Sequence, residues 1–255
     1  MRVGDLLEEL RENILHDRSD QVDGNASDRL WSDKTLVRYI NEAQRRFCRR
    51  ALILRDGSTP DVTQVELTAG VDQYALHPSV IAVLSCRRST DRIDMTRAGH
   101  DAFSAYRVPD FRLFDPSTIS NLPPGKPLAW STDEELTADD EGSVTVVNLR
   151  LYPAPSSAFL DNLQLRVLRL PLQDLTVDDL EAIPEIPEQH HLEILDWAAY
   201  LALRIDDIDA GSSNRAKEFR DSFEDHVNTA RKEMMRKLFT PAQWGFGRGG
   251  WSWER

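Results

Sequence analysis

The chain has 255 residues, 40% hydrophobic and 29% charged, a balance that supports one large or two modest folded domains around a proper core. Its formal net charge of −12 argues against general DNA binding, which needs a basic face to neutralise phosphates. No apolar run approaches the roughly 20 residues of a membrane span, and the opening MRVGDLLEEL carries acids where a signal peptide would be basic and then apolar, so a protein kept in a cytoplasm is expected.

Val3, Leu6, Leu7, Leu10 and Ile14 recur at helical spacing and predict a first helix from Val3 to Asp17. The polar run DRSDQVDGNASDR follows, rich in turn residues. The second helix has a clear start: Ser32 is a good N-cap, Asp33 suits the positive end of the dipole, and Trp31 and Leu36 occupy hydrophobic-staple positions. Its apolar stripe is Leu36, Ile40, Ala43, Phe47 and Ala51, and its expected end is near Leu54, before Asp56-Gly57. The opposite side carries Arg38, Arg45, Arg46, Arg49 and Arg50. These form a candidate subunit or partner interface, the bland alternative being a solvated face whose arginine stems cover apolar surface.

From Pro60 to Pro171 the pattern changes to short β-type runs (VTQVELTAG, QYALHP, VIAVLSCRR, KPLAWSTD, SVTVVNLRLYP, NLQLRVLRLP) divided by Gly, Pro and Asp. An antiparallel domain of about six to eight strands, a sandwich or small barrel, is the reading. A short helix near His100 to Ala105 and a long loop through FRLFDPSTISNLPPGKP interrupt it. Beyond Pro184 and Pro187 a third helix is expected from Glu188 to Ile205, apolar on two faces and therefore buried between neighbours. A fourth, from Ser213 to Phe239, carries Phe219, Phe223, Val227, Ala230, Met234 and Leu238 along one stripe. The fold class is thus α+β. A four-helix bundle is built from the N- and C-terminal helix pairs, residues 1–58 and 184–239. Residues 59–183 form the inserted β-domain, and residues 240–255 an extended C-terminal arm.

Catalytic and metal-site patterns are weak, and no cofactor is expected. His190 and His191 are adjacent, so a helix points them about 100° apart and they cannot share one metal; they read as solvated or interfacial. Asp207, Asp209 and Glu218 match positions of a calcium loop, but Gly211 and Ser212 stand where an acid and the turn glycine belong. A helix end, a turn at Gly211 and a cap at Ser212 or Ser213 fit better. Cys48 and Cys86 lack CxxC partners and read as buried thiols.

The arm TPAQWGFGRGGWSWER is the sharper signal. Three of the six tryptophans, Trp244, Trp251 and Trp253, fall in the last twelve residues beside Phe246, Arg248 and four glycines. Glycine loosens the free segment while large aromatics gain most when buried, a combination that suits ordering on a partner. Burying four aromatics at about 200 Å² each is worth roughly 20 kcal/mol gross, against roughly 16–32 kcal/mol to order sixteen residues. One arm is marginal, and many arms on one platform gain from effective concentration. The charge is also uneven: Asp161 to Asp209 holds twelve acids and three arginines, Arg231 to Arg255 six bases and two acids, which suits head-to-tail contact between copies.

Three stretches in this order resemble the head-to-tail adaptor (connector) subunits of tailed bacteriophages: LWSDKTLVRYINEAQRRFCRRA (Leu30 to Ala51), LRLYPAPSS (Leu149 to Ser157) and IPEIPEQHHLEILDWAAYLALRIDD (Ile183 to Asp207). The resemblance implies a non-enzymatic virion protein of the phage neck, assembled in the host cytoplasm as a ring of twelve copies below the portal. It implies contacts with itself, with the portal protein and with tail or nozzle proteins, and a channel through which DNA passes without sequence-specific binding. It makes the C-terminal segment, here Trp244, Phe246, Arg248, Trp251 and Trp253, the portal-binding arm. The alternatives are another neck or tail-completion protein, or a carbohydrate-binding protein using exposed tryptophans.

Overall fold

The computed structural model describes residues 1–17, 29–97, 123–139, 142–205 and 210–239. Its helices are α1 (Val3–Glu9), α2 (Asp33–Ala51), α3 (Pro60–Thr63), α4 (Glu193–Ile205) and α5 (Ala210–Phe239). The strands are β1 (Arg55–Asp56), β2 (Gln64–Glu66), β3 (Gln73–Ala75), β4 (Val80–Arg88), β5 (Thr96–Arg97), β6 (Ala129–Asp139), β7 (Gly142–Tyr152) and β8 (Asn162–Arg169). The chain divides into two compact units, one made of residues 1–53 and 173–255, the other of residues 54–172.

In the helical unit, the first N–H groups of α1, which no helix can satisfy internally, donate to the Ala182 and Leu180 carbonyls (Val3 at 2.9 Å, Gly4 at 3.0 Å). The helix then passes into a π-helical turn, Leu10–Leu15, and stops at His16 with φ of 57°. A π turn inserts one residue into the helical count. It shifts the buried stripe, so Leu15 rather than Ile14 is buried and Arg11 faces inward. Arg11 is only 6% exposed. Its guanidinium donates to Asp17 at 2.6 Å, to Asp33 at 2.6 and 3.0 Å and to the Trp31 carbonyl at 2.7 Å.

Ser32 caps α2 as its sequence suggests, accepting the Thr35 N–H at 3.2 Å. The helix ends at Leu52, which adopts a left-handed conformation and donates to the Cys48 carbonyl at 3.0 Å. That is earlier than Leu54, whose carbonyl is taken by the Arg169 N–H at 3.0 Å. Phe47 is fully buried, with its ring centroid 5.1 Å from His190 and 5.8 Å from Phe223 in an edge-on contact. Trp197 lies 5.1 Å from the same Phe223 ring. Around them, Ile194, Leu195, Ala198, Ala199 and Ala202 of α4 are fully buried, and Phe223, Val227, Ala230 and Met234 form the inner stripe of α5.

Two expectations are corrected here. The helix α5 starts at Ala210, so Gly211, Ser212 and Ser213 lie inside it and not in a turn or at a cap; the Ala, Arg, Lys and Glu that follow outweigh a glycine penalty of about 1 kcal/mol. His190 and His191 are buried, because a short 3₁₀ turn, Glu188–His190, precedes α4 and turns both rings inward. His190 contacts Glu193 at 2.6 Å and His191 the Ile186 carbonyl at 2.9 Å. The expected helix at His100 to Ala105 lies outside the described residues.

The β unit holds two four-stranded sheets, and among the described residues they do not close into a barrel. In the first, β8 pairs antiparallel with β4 along one side and with β1 and β2 along the other. In the second the order is β3-β7-β6-β5, and β5 runs parallel to β6 (Thr96 opposite Ala129), so the unit is mixed and not purely antiparallel. Alternation in β8 puts Leu163, Leu165 and Val167 in the interior while Asn162, Gln164 and Arg166 face out. These three share one core with Val83 and Cys86 of β4 and with Trp130, Leu149 and Leu151 of the second sheet. Cys48 and Cys86 are both buried, and neither is in a disulfide. Burial and the nearby Asp94 push the Cys86 thiol up to about 12.

Asp56 anchors the turn that leads from β1 into α3. Its carboxylate accepts from the Ser58 and Thr59 amides (2.9 and 3.0 Å), the Thr59 hydroxyl (2.7 Å) and buried Arg169 at the end of β8 (2.7 Å). Burial disfavours its charge, but these donors outweigh burial and hold the carboxyl far below the usual range. Asp56→Ala removes the carboxylate that binds buried Arg169 and the turn amides, and should lower stability by about 3 kcal/mol in urea unfolding. Because the folded pKa is depressed, the Asp56 contribution is complete above the unfolded value of about 4 and is lost as the pH falls toward the folded one. The stability gap between the parent and Asp56→Asn should therefore narrow in acid below about pH 4.

Candidate interaction surface

One turn of α2 takes 3.6 residues, so its five arginines do not share one side. Arg38, Arg45 and Arg49, spaced seven and four apart, form an exposed stripe with Lys34 and Glu42. Arg46 and Arg50 point toward the C-terminal helices. The Arg46 guanidinium lies 3.9 Å from the Trp197 ring centroid, a cation–π stack, and 3.8 Å from Glu224. Arg50 pairs with the same Glu224. These two are half-buried packing residues within the unit and not part of the outer stripe.

Within the stripe, Arg45 reaches both oxygens of Asp174 at 2.7 Å. Both partners are about half exposed, which limits such a pair to at most about 1 kcal/mol. Arg38 and Arg49 are exposed and form no ion pair with a described residue.

Beside the stripe runs a groove of about 680 Å³ between α2 and the irregular segment at residues 174–178. Its floor is set by Asn41, which is 9% exposed and clasps Leu175 twice: the Asn41 amide donates to the Leu175 carbonyl at 2.8 Å, and the Leu175 N–H donates to the Asn41 carbonyl oxygen at 2.9 Å. A segment without secondary structure must find partners for its buried backbone elsewhere, and Asn supplies a donor and an acceptor from one side chain. The rim carries Lys34, Arg38, Glu42 and Asp178, so both signs of charge frame the groove.

A polar network also joins α4 to α5. Ser222 donates to Asp196 at 2.7 Å, and His226 lies 3.5 Å from Asp196 and 3.7 Å from Glu193. Burial pushes the Asp196 carboxyl upward. Among the described residues, no group of three or more His, Cys, Asp or Glu is arranged to hold a metal ion, and no helix is long and apolar enough to cross a membrane. Trp244, Phe246, Arg248, Trp251 and Trp253 lie outside the described residues.

Sequence reasoning named the five arginines but passed over Asn41 and Arg11. Asn41 had a signal, a polar residue that helical spacing turns inward between Ile40 and Ala43; Arg11 had none, because the π-helical turn is what turns it inward.

The sequence model of the family described as SU10 adaptor protein matches residues 1–244. No curated protein matches the chain.

Replacing Asn41 with Leu removes both bonds to Leu175 and strands two buried backbone groups, and should lower stability by about 2 kcal/mol or more in thermal or urea unfolding. Arg38→Ala and Arg49→Ala should each stay within about 0.5 kcal/mol of the parent. A loss at Arg38 or Arg49 as large as at Asn41 would mean the stripe is structural.

Proposed function

From the premise that this chain belongs to the SU10 adaptor protein family, a family of phage head-to-tail adaptors, we propose that it forms a ring below the portal, extends the DNA channel and presents a surface for tail attachment. At the coarser level it is a structural component of a phage virion, and a family of structural adaptors implies a role without catalysis. The observation that carries the reading is the family match, which runs through both compact units and not through one of them.

In this reading the helical unit is the four-helix bundle that builds the ring, in twelve copies. The exposed stripe of Arg38, Arg45 and Arg49 meets an acidic surface of the neighbouring copy. Several facts support that assignment. The stripe lies on a chain of net charge −12, so a matching acidic surface is plentiful on every copy. Two of its three arginines make no ion pair with a described residue, and such an arginine can pair with a neighbour without first breaking an internal ion pair. Arg46 and Arg50 support the stripe from behind by holding α2 on α4 and α5. Trp244, Phe246, Arg248, Trp251 and Trp253 form the arm that docks on the portal, where many copies side by side overcome the ordering entropy of each one. Tail or nozzle proteins attach on the opposite side, and DNA passes through without sequence readout.

The test is assembly with the cognate portal, followed by sedimentation and particle imaging. The parent should co-sediment as a ring on the portal. Deleting residues 240–255 should weaken that binding by about two orders of magnitude or more, since the arm aromatics act together. Arg38→Glu combined with Arg49→Glu should reduce ring closure while the unfolding midpoint stays unchanged. Unaltered portal binding by the truncated chain removes the role of the arm. A copy number or radial position outside the neck identifies a different tail component.

A further inference from the structure

The strands β6 and β7 form a ribbon of eleven residues each, paired in register from Ala129 opposite Tyr152 to Asp139 opposite Gly142. Their neighbours cover only its base. On one side, β5 meets β6 at Ala129 and Trp130. On the other, β3 meets β7 at Asn148 to Arg150, and the last bond runs from the Leu76 N–H to the Val147 carbonyl at 3.0 Å. From Gly142 to Val146, no third strand pairs with β7 among the described residues.

The register also assigns the backbone groups on that open side. The Leu151 N–H donates to the Asp72 carbonyl, and Val147 accepts from Leu76, so these residues address the β3 side. Alternate residues of a strand address the same side. Beyond Val147 these are Thr145 and Ser143, whereas Val144 and Val146 address β6.

The two strands differ in charge. Residues 131–147, STDEELTADDEGSVTVV, hold six acids and no lysine or arginine. Every acid lies before Gly142, and Ser143 to Val147 carries no charge and no proline. Charge and proline are the ordinary means of blocking an open sheet edge. One edge of the ribbon is therefore protected, while the other is a run of β-branched residues suited to pairing.

We propose that the β7 edge at Ser143–Val147 accepts, by strand addition, an extended segment of a partner protein that carries lysine or arginine at alternate positions. Main-chain bonds to Ser143 and Thr145 supply the pairing, and the acids on β6, one strand away, select a basic strand. A second copy of this chain is a poor occupant, because its own ribbon brings six more acids against these. The inference does not depend on a ring or on the portal.

The test uses the full chain and a fluorescent peptide of alternating valine and lysine, with a valine–glutamate peptide as control, followed by anisotropy. The lysine peptide should bind and the glutamate peptide should not. Thr145→Pro removes an amide that lies outside the β6–β7 ladder, as edge strands tolerate, and should weaken binding about tenfold or more. Thr145→Val keeps the amide and should bind like the parent. Combining Asp133→Asn, Glu135→Gln and Asp139→Asn should weaken binding and flatten its salt dependence. Should Thr145→Pro misfold by circular dichroism, hydrogen exchange on the parent decides: the Ser143 and Thr145 amides should gain protection from the lysine peptide. Equal binding of both peptides, full binding by a folded Thr145→Pro, no added protection at those amides, or no binding at all overturns the proposal. So does self-association of the parent that Thr145→Pro relieves, which would give the edge to a second copy.

Discussion

The helical unit depends on the burial of Phe47 between His190 and Phe223. These rings come from opposite ends of the chain, with the whole β unit lying between them in sequence. A core assembled this way must pay the entropy of closing a long loop before its contacts form, although that entropy grows only with the logarithm of loop length. The compensation is visible in the choice of residues. Large aromatics meet edge-on at the centre, and the alanines Ala198, Ala199 and Ala202 of α4 let neighbouring backbones come close. Trp197 extends the cluster outward and is covered by the Arg46 guanidinium. The helix α2 is therefore fixed by aromatic packing within and by a cation–π stack at its margin.

The same helix must also hold two irregular segments, and it does so with polar side chains. Arg11, turned inward by the π-helical turn, binds Asp17, Asp33 and the Trp31 carbonyl, which joins the end of the first helix to the start of α2. Asn41 clasps Leu175. Both devices answer one constraint, that buried backbone and charge require partners. In the β unit Asp56 does the equivalent by binding two amides, a hydroxyl and Arg169. An irregular connection is thus ordered wherever a single well-placed polar group can satisfy several of its atoms.

Periodicity and caps were legible because they are local. The Ser32 cap, the stripe from Leu36 to Ala51 and the buried side of α5 all follow from spacing along one helix. The β-type run NLQLRVLRLP that becomes β8 was legible for the same reason. What escaped the sequence depends on residues far away. The π turn that buries Leu15 in place of Ile14 leaves no local mark, because the apolar spacing from Val3 to Ile14 is that of a regular helix. The parallel pairing of β5 with β6 has no signature in two residues, Thr96 and Arg97. The inward rings of His190 and His191 were missed because a 3₁₀ turn replaces the regular helix assumed there. For the candidate surface, composition located the arginines of α2, and the separation of Arg46 and Arg50 from the outer stripe became clear only once Trp197 and Glu224 stood beside them.

In the assembly proposed above, the exposed charges would form the contacts between subunits. An exposed ion pair is worth at most about 1 kcal/mol and weakens in salt, so two subunits meeting through Arg38 and Arg49 would hold one another only briefly. The proposed closed ring would change that balance, because each subunit would have two neighbours and a common platform, and weak contacts made together gain from effective concentration. Strong buried contacts, by contrast, are kept within the subunit: Phe47 with Phe223, Arg11 with Asp17, Asp56 with Arg169. An adaptor with the reverse distribution would associate before its platform existed. On the reading proposed above, strong contacts within the subunit and weak, charged ones between subunits are what templated assembly would demand.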